Sequence, residues 1–142
     1  MKLNFTIPLA PRSKKNNPRV VKGRSRKVIV LPSAAFEEYQ EKCGYYIPCK
    51  WACISQPVNV CMKFYTDTRR RVDKTNLESA MLDVLVHYGV LADDCRDIVY
   101  STDGTCVEWD KNNPRTEITI TELNDVNIWR TNDAKKLRPL RH

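Results

Sequence analysis

The chain has 142 residues and carries 24 Lys and Arg against 17 Asp and Glu, a formal net charge of +7. That length supports one domain with its own hydrophobic core, without staples. Six cysteines with no C-x-x-C pair and only two histidines argue against a zinc ribbon or a His-based centre, and no apolar run spans a membrane. Carboxylates remain as metal ligands, and a cytoplasmic protein with free thiols is the expectation.

Leu3, Phe5 and Ile7 alternate with polar residues, which predicts a first strand ending at Pro8. A loop of turn residues and cations follows, from Pro11 through Ser13, Lys14, Lys15, Asn16 and Asn17 to Pro18. Arg19–Val21 and Lys27–Leu31 read as two short strands around Lys22-Gly23-Arg24. Between Arg12 and Lys27 stand eight Lys/Arg and no acid. Such a block is the footprint of phosphate binding, where displaced counterions drive affinity; a solvated surface arm is the plainer reading. Ser33 is a good N-cap for a first helix with Phe36, Tyr39, Gln40 and Cys43 on one face and Gly44 at its end. Tyr45–Gln56 is mixed, with Trp51 read as core. Val58, Val60, Met62 and Phe64 then mark a strand with one buried face.

The stretch from Arg69 to Asp94 holds the richest pattern. Three arginines precede Asp73, and Thr75 with Glu78 predicts a capping box in which Thr75 is the N-cap. Leu77, Ala80, Met81, Val84 and Leu85 form one apolar stripe over a helix spanning Asn76 to Tyr88. Gly89 supplies a left-handed cap, and Val90-Leu91-Ala92 leads to Asp93-Asp94. Asn76, Ala80, Asp83 and His87 fall along one line at the edge of the stripe. There Asp83 could ligate a metal, pair with His87, or bond the chain entering at Arg71–Asp73, the last being preferred. Such a helix is about 20 Å long, while the steps from Gly89 to Asp94 recover at most about 17 Å. Either the chain doubles back sharply or Asp94 meets Asp73 of a second subunit. Beyond it, Ile98–Thr102 and Thr105–Trp109 flank Asp103-Gly104, a hairpin signal; Asp110–Pro114 is a turn and Thr116–Thr121 a strand. The whole predicts a single α+β domain over residues 1–123, a mixed, largely antiparallel sheet packed with two main helices. A basic polar tail occupies 124–142.

Phosphodiester cleavage needs an activated water and neutralised charge, which Mg²⁺ held by carboxylates supplies. Asp73, Asp93 and Asp94 are candidates; ordinary helix capping and a solvated turn are the alternatives. The pattern RRR-x-D-x-T-N-L, a helix with an internal Asp, then G-x-L-x-D-D resembles the RusA family of Holliday junction resolvases. Pro11-x-Ser13 followed by Asn16 is also similar, and the likeness runs from Leu3 to about Leu123. The resemblance implies a homodimeric, Mg²⁺-dependent endonuclease (Mn²⁺ substituting) that nicks four-way DNA junctions in symmetric pairs during recombination and repair, leaving 5′-phosphates. It also implies a phage or prophage origin in a bacterial host. By position, the family's D-x-D-N-L falls on Asp73–Leu77, with Thr75 in place of the second acid. The family's helix lysine falls on Ser79, for which Lys74 could substitute, and its distal acid falls on Asp94. On this resemblance Asp73 and Asp94, helped by Asp93 and Asp83, hold the metal. Arg69, Arg70, Arg71 and Lys74 clamp the backbone, and Lys14, Lys15 and Asn16 widen the contact. A branched-DNA binder that has lost cleavage, and a basic assembly protein, are the competing readings.

Overall fold

Among the described residues there are seven strands, the three longest marked by alternation of apolar and polar residues, and two helices made by 3.6-period stripes. In the computed structural model, which describes residues 1–14, 19–22, 28–31, 33–48 and 53–124, they run in this order. β1 (Lys2–Ile7), β2 (Arg19–Lys22) and β3 (Val28–Leu31) lead to α1 (Ala34–Cys43) and β4 (Val58–Thr66). α2 (Lys74–His87), β5 (Val99–Ser101), β6 (Cys106–Trp109) and β7 (Arg115–Glu122) complete the chain. Gly23 and Arg24 of the predicted turn, Lys15, Asn16, Trp51 and the tail from 125 onward lie outside the described residues. β2 and β3 pair antiparallel, as the sequence predicts.

The main sheet has the order β1-β7-β4-β5, with β6 also on β4. β7 is antiparallel to both β1 and β4, through Phe5↔Ile118 and Met62↔Ile118, whereas β5 and β6 run parallel to β4. Both helices contribute to one core, in which Val58, Val60, Met62, Phe64, Ile118 and Ile120 of the sheet meet Phe36, Tyr39, Leu77, Met81 and Leu85. Each such side chain fully removed from water is worth roughly 1.5–3 kcal/mol, against about 0–1 kcal/mol for an exposed ion pair. The sheet face therefore holds the domain together, and the helices are fixed by what they cover. The fold is α+β, as the sequence predicts.

Capping fixes where each helix starts and stops. The Ser33 hydroxyl accepts from the Phe36 N–H at 3.1 Å. Gly44 closes α1 not by a positive φ but by closeness, since a Cβ there would lie 2.8 Å from the Tyr88 ring. The Tyr88 hydroxyl in turn donates to the Gln40 carbonyl at 2.6 Å, pinning the end of α2 to the end of α1. Gly89, at φ +73°, turns the chain out of α2 as expected.

The predicted hairpin about Asp103-Gly104 does not form. β5 and β6 do not pair with each other; both lie along the same edge of β4, at Val58↔Val99 and Lys63↔Cys106. A side chain 44 residues away decides this. Asn59 accepts from the Asp103 N–H at 2.7 Å and from the Ser101 hydroxyl at 2.6 Å, and donates to the Asp103 carbonyl at 3.1 Å. The Thr105 hydroxyl then accepts from the Met62 N–H at 3.1 Å. The turn is a kink within one edge, held by β4, rather than a reversal.

Candidate active site

β4 ends at Thr66 and α2 begins at Lys74, so the arginine run occupies the short crossing between sheet and helix. Two threonines fix that crossing. The Thr66 carbonyl accepts from the Asp110 N–H at 2.9 Å, and the Thr66 hydroxyl lies 2.9 Å from the Thr68 carbonyl and 3.2 Å from that of Glu108. The Thr68 hydroxyl accepts from the Arg70 N–H at 3.1 Å.

The start of α2 differs from the sequence reading. Asp73 is the N-cap: its carboxylate accepts from the Thr75 N–H at 3.0 Å and the Asn76 N–H at 3.4 Å. The helix starts two residues before the predicted Asn76, and Thr75 is a helical residue rather than the cap. Asp competes with Thr for the capping position and is the stronger cap. Glu78, freed from the capping box, pairs with Lys74 at 3.4 Å.

At this end a cavity of about 280 Å³ opens between the loop after β1 and the start of α2. Arg12 and Ser13 line it from one side, Asp67 and Arg71 from the crossing, and Asp73 and Asn76 from the helix. The helix N-terminus adds its own partial positive charge. Two carboxylates therefore share a cavity with two guanidinium groups and a helix end. Mg²⁺ binds through one or two carboxylates, with waters and substrate phosphate completing its octahedron. The donors fit: both carboxylates, a hydroxyl and an amide oxygen are hard ligands, and the arginines face the charge a phosphate would bring. Asp67 was not among the acids the sequence singled out. Its signal was its place directly after the last strand residue, at the mouth of the crossing.

The other predicted residues lie elsewhere. Asp83, midway along α2, forms an ion pair with Lys14 from the loop after β1, and not with the chain at Arg71–Asp73. One predicted metal ligand is thus paired with one predicted DNA contact. Asp93 and Asp94 are exposed, and the Asp93 carboxylate accepts from the Asp94 N–H at 2.8 Å. The chain before them is held at the far end of α2, where the Val90 and Leu91 N–H groups both donate to the Leu85 carbonyl and the Ala92 N–H to the Ile54 carbonyl. A helix of 14 residues is about 21 Å long, so Asp73 and the Asp93-Asp94 pair stand at its opposite ends. Among the described residues no three His, Cys, Asp or Glu side chains gather around one point.

Beside the cavity, the Arg69 guanidinium lies over the Trp109 ring, 4.0 Å from its centroid. A second stack, Arg115 over Tyr65 at 3.7 Å, occupies the opposite side of the sheet. There Asp110 and Glu117 also hold Arg115, each at 2.9 Å.

Among models of known protein families, that of the endodeoxyribonuclease RusA matches residues 8–121. No curated protein matches the chain.

Proposed function

Because this chain belongs to the RusA endodeoxyribonuclease family, we propose that it cuts four-way junctions and related branched DNA by paired, metal-dependent nicks. The observation that carries the reading is the placing of Asp67 and Asp73 in one cavity with Arg12 and Arg71 at the start of α2. Asp73, with Asp67 beside it, would hold Mg²⁺ (Mn²⁺ substituting), which supplies a more acidic water and neutralises charge at phosphorus. Arg12 and Arg71 grip the phosphate within the cavity, while Arg69 and Arg70 extend the grip along the backbone; Lys74, tied to Glu78, flanks it. These contacts position DNA without reading its sequence, which suits an enzyme that recognises branched shape.

Asp94 enters the proposal through a second copy. With Asp73 and Asp94 at opposite ends of one helix, a site that uses both takes them from different subunits, and a two-fold dimer yields two such sites for two cuts. Cleavage of a synthetic four-way junction with Mg²⁺ tests the whole. Wild type should give paired nicks, and Asp73→Asn, Asp67→Asn and Asp94→Asn should each abolish them. Mixing Asp73→Asn with Asp94→Asn protein should restore one site per mixed dimer if the carboxylates come from two subunits. No recovery on mixing would put each site within one chain. A second reading is a branched-DNA binder that no longer cuts, favoured by Thr75 and Ser79 standing where the resemblance expects an acid and a lysine. Tight junction binding without nicks selects it.

A further inference from the structure

We propose that Trp109, backed by Arg69, is a stacking platform for a nucleobase that has left the duplex stack. The inference rests on the DNA-cleaving reading for the identity of its ligand. Its geometry is independent of any metal.

Trp109 is the last residue of β6 and 45% exposed, among the described residues one of five large hydrophobic side chains left in water. Register sets the direction of its ring. β6 pairs with β4 as Phe64↔Val107 and Thr66↔Trp109. Phe64 and Thr66 are both buried on the side of the sheet that carries α2, and Val107 packs against that core. Side chains two apart share a face, so Trp109 rises from the same side, at the end nearest the start of α2. The Asp110 N–H, donating to the Thr66 carbonyl at 2.9 Å, locks that end of β6 in place. Paired strands lie about 4.8 Å apart and successive Cα atoms 3.8 Å, which brings the Trp109 backbone within roughly 9 Å of Asp67. An aromatic ring in solvent therefore stands at the rim of the cavity that holds Asp67 and Asp73.

Arg69 makes this more than a stray surface tryptophan. Its guanidinium lies over one face of the ring, so a base would stack on the other, while the cation remains available to the phosphate of an adjoining nucleotide. Intact duplex offers no free base face, because every base is stacked between neighbours. A branch point or a single strand does. Stacking on an aromatic side chain tolerates any base and is worth about 1–3 kcal/mol per base on alanine replacement. A platform beside the cutting site would thus favour DNA whose stacking is interrupted there, without sequence preference.

Binding measured without divalent metal tests this on three fluorescently labelled probes: a four-way junction, a duplex of equal length and single-stranded oligo(dT). Trp109→Ala should weaken junction and oligo(dT) binding about 5- to 150-fold and duplex binding less than two-fold, with Trp109→Phe recovering most of the loss. Abasic nucleotides at the branch should lower wild-type affinity to that of Trp109→Ala and leave the variant unaffected. Unchanged binding of both unstacked probes would overturn the proposal, as would an equal loss on duplex, which would mean that the ring only positions Arg69. The cleavage reading fails by a different result: wild-type protein that neither prefers the junction nor nicks it with Mg²⁺, whatever Trp109→Ala does to oligo(dT).

Discussion

Asp73 has a structural task that can be measured and a chemical task that has been proposed, and two substitutions separate them. As N-cap its carboxylate satisfies two N–H groups at the start of α2. Asp73→Ala removes both that acceptor and its charge and should cost about 1.3–2 kcal/mol, toward the top of the range of roughly 0.5–2 kcal/mol for lost caps. Asp73→Asn keeps a capping oxygen and forfeits only the charge at the helix end, about 0.3–1 kcal/mol at an exposed position. For a domain of this size 1 kcal/mol corresponds to a fall in Tm of about 3–4 °C. Denaturant unfolding should therefore rank wild type above Asn and Asn above Ala, with a small gap and then a larger one. Junction cleavage should rank them otherwise: both variants lose on the order of 100-fold or more, because neither presents a carboxylate to Mg²⁺. An Asp73→Asn protein that nicks at the wild-type rate would sink the metal assignment. One that unfolds as easily as Asp73→Ala would sink the capping account.

Three further outcomes follow from the packing. Gly44→Ala drives a methyl to 2.8 Å from the Tyr88 ring, so it should lose about 1–3 kcal/mol in guanidinium unfolding. The same change made on Tyr88→Leu should cost much less, and an equal cost in both backgrounds would place the strain elsewhere. The half-exposed Lys14–Asp83 pair should show a coupling of only about 0.2–1 kcal/mol in a double-mutant cycle, fading in 1 M salt; a salt-independent coupling would contradict it. Burial pushes the Cys43 thiol up to about 11, so it should resist iodoacetamide at pH 8 until the protein unfolds, while exposed Cys53 and Cys95 react at once. The same shift makes Tm fall as pH rises from about 9 to about 11: there the unfolded thiol releases a proton that the folded one retains. A flat profile through that window would refute it.

The elements with strict periodicity were legible in the sequence. β1, β4 and β7 alternate over six to nine residues, and α1 declares its start at Ser33 and its end at Gly44. Where two local signals competed, the capping-box pattern outweighed the stronger single cap: Asp73 and Thr75 are both capping residues, two positions apart, and Asp73 takes the helix. Asp103-Gly104 is a hairpin dipeptide by composition, but Asn59 binds its backbone and turns it into a kink. No inspection of residues 98–109 alone contains that contact. Helix length alone left two paths for Asp94, a sharp return toward Asp73 or a second subunit, and only the bonds that hold Val90, Leu91 and Ala92 at the far end of α2 exclude the return. The sharing of a cavity by Asp67 and Asp73 was not readable in the sequence, because it depends on how the crossing from β4 folds back over the loop that holds Arg12. Trp109 reads in sequence as one more strand aromatic; only its pairing with Thr66 sends it to the rim of that cavity.

The split edge of the sheet bears on how this molecule behaves in crowded solution. Among the described residues nothing pairs with the outer side of β5 or β6, which offer runs of only three and four residues with the Asp103-Gly104 kink between them. A neighbouring chain seeking to extend the sheet finds no long, flat template there, and two short ones out of line bind an added strand poorly. The asparagine on β4 that spoils the hairpin thereby also guards the protein against joining its neighbours edge to edge.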